Sequence, residues 1–100
     1  MLHTVVSKGA KTIRLTDERW AHITDEHCEL AGLRTEVLGA IAEPDKIVAG
    51  GYGELLAVKE TRPAQFLIVV YRELEMDGFV ITAFLTSKVE SVLRRKQIWP

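Results

Sequence analysis

One hundred residues suffice for one domain with a single core, and a 47% hydrophobic content marks a packed globule rather than a disordered chain. The 13 basic and 14 acidic side chains nearly cancel, which removes the overall positive field of a dedicated nucleic-acid binder while leaving room for a local basic patch. The single cysteine, Cys28, excludes an intramolecular disulfide and a thiolate zinc cluster and suits a reducing compartment.

The first residues lack the charged start and long apolar stretch of a signal peptide, and the longest apolar run, Phe66 to Tyr71, is far too short for a membrane span. A cytoplasmic protein with no membrane partner is expected. Thr12-Ile13-Arg14-Leu15 reads as a short strand ending at Thr16-Asp17, two good helix N-cap residues followed by Glu18 where a negative charge suits the helix dipole. On the helix that follows, Trp20, Ile23 and His27 fall in one sector and point to the core, while Arg19, His22 and Glu26 point away.

Gly32 lies in the break, and Thr35 is expected to cap a second helix reaching about Glu43, where Pro44 ends it. The two helices form an N-terminal hairpin. Ile47-Val48-Ala49 is strand-like, the Gly50 to Gly53 cluster is a turn, and residues 54–60 form the next strand. Residues 65–72 and 78–86, rich in Phe, Ile, Val and Tyr, make a hairpin at the sheet centre, with Asp77-Gly78 as its tight turn. Residues 87–97 read as a C-terminal helix that carries Val89, Val92 and Leu93 on one face and Arg94, Arg95 and Lys96 at its end.

This order of elements predicts a single α+β domain: a helical hairpin packed on a mainly antiparallel four-stranded sheet, then a C-terminal helix. The predicted core is Ile13, Trp20, Ile23, Leu38, Ile41, Ile81, Ala83 and Leu85. Alternation along the last strand puts Phe79, Ile81, Ala83 and Leu85 toward the helices and Val80, Thr82, Phe84 and Thr86 on a mixed face, where a site is expected.

His22 and His27 are five residues apart, a spacing that does not converge two ligands on one metal, so no metal or other cofactor is expected. His27 suits two roles, a structural one bonding a carbonyl at the helix end and a proton-transfer one; His22 is a surface or groove residue. Thr82 and Thr86 are good strand residues that also offer hydroxyls. Arg14, Lys59 and Arg72 lie on separate strands and either converge on the mixed face to hold a phosphate or stand as scattered surface cations.

Leu15-Thr16-Asp17-Glu18-Arg19-Trp20 with His22-Ile23, His27, Glu43-Pro44-Asp45 and Gly78-Phe79-Val80-Ile81-Thr82-Ala83-Phe84 resemble a group of small prokaryotic proteins, over most of the chain. Cys28 stands where those proteins often carry proline. The group in turn resembles the superfamily of barnase, EndoU, colicin-type tRNases and RelE. The resemblance implies one or two helices on a four-stranded antiparallel sheet and a metal-independent, toxin-like endoribonuclease that cleaves RNA by 2′-hydroxyl attack. It implies RNA as substrate and an antitoxin-like protein as partner. In that reading His27 or His22 handles a proton, Arg14, Lys59 or Arg72 holds the phosphate, and Thr82 or Thr86 orients it. The alternative is a non-catalytic protein-binding domain of the same fold.

Overall fold

The computed structural model describes residues 3–100. In chain order the elements are β1 (His3–Val6), β2 (Thr12–Leu15), α1 (Asp17–Glu26), a 3-10 turn (Cys28–Leu30), α2 (Arg34–Ala42), β3 (Lys46–Ala49), β4 (Leu55–Arg62), β5 (Gln65–Glu73), β6 (Asp77–Thr86), α3 (Glu90–Leu93) and β7 (Gln97–Trp99). Among the described residues no helix is long and apolar enough to cross a membrane.

The strands form one seven-stranded mixed sheet in the order β1-β2-β6-β5-β4-β3-β7. This overturns the expected helical hairpin on a four-stranded antiparallel sheet. Three differences account for it. β1 and β7 are strands of four and three residues, too short to display a period, yet they pair antiparallel with β2 and β3. The expected C-terminal helix shrinks to the four residues of α3 before the chain returns to the sheet edge as β7. Finally, β2 joins β6 in parallel, Thr12 to Arg14 matching Asp77 to Phe79, a pairing that no local pattern announces.

The first helix starts where its cap demands: the Thr16 hydroxyl accepts the Arg19 N–H at 3.1 Å, and Asp17 and Glu18 occupy the first turn. The second begins at Arg34 without a side-chain cap. Its guanidinium instead ties the helix to the end of β2, donating to the Leu15 carbonyl at 2.6 Å and pairing with Asp17 at 2.7 Å.

Two apolar clusters lie on opposite faces of the sheet. On the helix-covered face Ile13, Leu15, Ile23, Leu30, Val37, Ile41, Leu67, Val69, Tyr71 and Val80 are buried together, with Trp20, Leu38 and Leu85 packed at the margin. Part of the other face is closed by the segment around α3, whose Val89 is buried with Val48, Leu56, Val58 and Ile68.

The sheet coils around α2, which packs against β1, β4 and β5. Although β1 and β7 are opposite edges, the ammonium of Lys8 in the β1–β2 turn lies 5.1 Å from the Trp99 ring centroid on β7, and the Ser7 hydroxyl donates to Glu73 on the central strand.

Candidate nucleic-acid interface

The ladder between β5 and β6 pairs Val70 with Thr82 and Tyr71 with Val80, leaving Ile81 as an extra residue. Such a bulge reverses the alternation beyond it. Ala83 and Leu85 therefore face the helices as expected, but so does Val80, while Phe79 turns to the opposite face and Ile81 is half-buried outside both clusters. The predicted apolar row is interrupted at its middle.

Phe79 consequently sits between two guanidinium-bearing residues. Cross-strand partners share a face, and Arg14 on β2 and Arg72 on β5 are the partners of Phe79 from either side. At about 4.8 Å per strand, the two arginine positions stand roughly 10 Å apart with an aromatic ring between them. Thr82, Phe84 and Thr86 continue along the same face of β6.

Local contacts fix the ends of this row. Arg14 pairs with Asp77, the first residue of β6. The Arg72 guanidinium donates to the Tyr52 carbonyl at 2.7 Å, which anchors the β3–β4 loop beside the row and leaves the Tyr52 side chain fully projecting, 88% exposed. Glu54 in that loop accepts the Tyr52 N–H at 2.7 Å; this bond first, then its own backbone N–H and the charges of Arg72 and Arg95, hold its carboxyl below the usual range.

His27 closes α1, its backbone N–H donating to the Ile23 carbonyl at 2.8 Å. β2 pairs with β6 only as far as Phe79, so the rest of that β6 edge is open to the 3-10 turn and to His27, whose ring lies 6.1 Å from the Phe84 ring at a 36° tilt. Its Nδ1 stands 3.7 Å from Glu29. Thr82 and Thr86, two positions either side of Phe84, are the β6 hydroxyls nearest in sequence to that contact; the Thr86 hydroxyl accepts the Lys88 N–H at 3.0 Å.

The remaining candidates lie elsewhere. His22 is exposed on α1 with Nε2 3.2 Å from Glu26, among Thr16, Glu18 and Arg19 on a shallow depression. Lys59 pairs across the strands with Leu67, so it belongs to the helix-covered face, and its ammonium is 3.5 Å from Asp45. Among the described residues no three His, Cys, Asp or Glu side chains gather as a metal site.

Arg14, Arg72, Thr82 and Thr86 thus share one sheet face with His27 at its rim, and His22 and Lys59 do not join them. Phe79 and Tyr52 are the residues that sequence reasoning missed. The bulge that turns Phe79 outward left no mark in the alternation, whereas an aromatic inside Gly50-Gly51-Tyr52-Gly53 is a visible signal, since nothing in a glycine turn can bury it. Compared with known protein families, curated proteins and solved structures, the chain matches none.

Proposed function

We propose that the part of the β6 face carrying Phe79, beyond the part that the α3 segment closes around Phe84, binds single-stranded RNA, and that the protein is an endoribonuclease acting at the His27 rim of that face. The observation that carries this reading is the Arg14–Phe79–Arg72 row, cation, aromatic ring and cation across three adjacent strands. Single strands are held in this way: bases stack on rings while guanidinium groups meet the phosphates. Tyr52 adds a second ring at the end of the row. Phe84 lies five positions beyond Phe79, roughly 16 Å along the strand at 3.3 Å per residue, so the arginines anchor a different phosphate from the one beside His27.

At the phosphate beside His27, the imidazole takes the proton of a ribose 2′-hydroxyl. The 2′-oxygen bonds to phosphorus, the phosphorus bond to the 5′-oxygen breaks, and that oxygen takes a proton from water, leaving a cyclic phosphate and a 5′-hydroxyl. Thr82 or Thr86 donates to a non-bridging oxygen. Such a protein works in the cytosol, where the thiol of Cys28 stays reduced.

Incubation of the purified chain with single-stranded RNA, with and without a chelator, tests the activity. Cleavage is expected in both, and His27→Gln should lower its rate by about 100-fold or more with RNA affinity retained. Arg72→Ala should weaken binding and reduce the salt slope by about one. Asp77 beside Arg14 and Glu54 near Arg72 reduce the positive charge of the row, which is what a non-catalytic protein-binding domain would show. Absence of both cleavage and salt-dependent RNA binding would overturn the endoribonuclease reading.

A further inference from the structure

On the helix-covered face, two cavities of about 440 and 270 Å³ adjoin through shared walls at Glu36, Thr61 and Leu67. Together they form one groove between α2 and the sheet, in which the half-buried Leu33 and Leu85 present apolar surface above the buried Ala40 and Leu67. Its rim carries four carboxylates, Glu29, Glu36, Glu43 and Glu60, against two cations, Lys59 and Arg62. The charge of Lys59 is already met by Asp45, and that of Glu43 by Lys8 at 3.4 Å, so the rim's acidity rests on Glu29, Glu36 and Glu60 against Arg62.

Gly39 opens this groove. It lies inside α2, where glycine is less favourable than alanine, and its φ is not positive, so the helix has no conformational need for it. Packing does not require it either, because a Cβ at Gly39 would meet nothing within 4 Å. The missing side chain leaves the groove open down to the helix backbone.

We propose that this groove docks a basic amphipathic helix from a partner protein, laid beside α2 as an added member of the helix layer. The apolar floor takes the leucine-like stripe of such a helix, the acidic rim takes its lysines or arginines, and Gly39 admits its close approach. The same rim repels nucleic acid, so the groove is separate from the β6 face, and the inference stands whether or not the chain cleaves RNA.

The test is NMR titration of the isotope-labelled full chain with a synthetic Lys/Leu amphipathic helix and with its Glu/Leu counterpart. Saturable amide shifts in α2 and β4 are expected with the basic peptide only. Gly39→Leu should keep or raise the melting temperature, since the side chain enters open space, and should weaken the basic peptide at least tenfold. The double charge reversal Glu36→Lys, Glu60→Lys should do likewise. Undiminished binding to Gly39→Leu, shifts centred outside the groove, or no binding of the basic peptide each overturn the proposal.

Discussion

Tyr71 is fully buried on the central strand, and its hydroxyl has no hydrogen-bond partner among the described residues. A buried polar atom left unpaired costs stability, so Tyr71→Phe, which keeps the ring and removes the atom, should raise the unfolding free energy by roughly 1 kcal/mol in urea titrations at neutral pH. Burial first, and then the nearby Glu73 carboxylate, push the phenol well above its ordinary pKa of 10.0. The folded chain therefore holds this proton more tightly than the unfolded chain. Stability from that difference is complete below pH 10 and is lost as pH rises beyond it, because the unfolded chain then ionises while the folded one resists. Stability measured between pH 9 and 11 should fall less in Tyr71→Phe than in the parent.

At the scale of the element, β6 governs both the core and the proposed interface. Gly78 does not make the expected hairpin turn but lies within the strand, where a Cβ would collide with the Arg72 carbonyl and come within 2.8 Å of Ile13 Cδ1. The backbone carbonyl cannot move without disturbing the β5–β6 ladder, so Gly78→Ala should cost about 1–3 kcal/mol, read as a lower denaturation midpoint.

Much of this strand was legible: its length and the shared face of Thr82, Phe84 and Thr86 follow from β-branched content and alternation. The cap at Thr16 was equally plain. Illegible were the bulge at Ile81, which depends on the partner strand, and the side taken by Lys59, which is set by the bulge at Thr61: it offsets the Arg62–Gln65 turn register so that Lys59 meets Leu67 rather than Ile68. A sequence pattern within one strand cannot report a register between two. Arg14 and Arg72 were legible as candidates, but their placement around Phe79 depended on that register.

The whole molecule is held by contacts between its extremes. β7 extends the sheet beyond β3, with Trp99 opposite Ile47, and Trp99 also receives Lys8 from the far side of the coil. Removal of residues 98–100 therefore takes away an edge strand and the seat of that cation together. A melting temperature lowered by several degrees is expected in scanning calorimetry. An unchanged value would mean that the coil does not depend on the C-terminus.

The parallel pairing of β2 with β6 also determines when the N-terminal hairpin can acquire its seat. Thr12 meets Asp77, so the two strands that join β1 to the rest of the sheet are separated by most of the chain. Closing so long a loop costs entropy before any contact repays it, which slows folding toward the millisecond-to-second range of sheet-rich domains. During synthesis, β1 and β2 leave the ribosome long before the strand they dock on, and their apolar residues Val5, Ile13 and Leu15 must wait without a sheet. Substitution of Ile13 by Val should accordingly slow refolding in stopped-flow measurements, because the loop closure that limits folding is the step in which the β2–β6 contact forms.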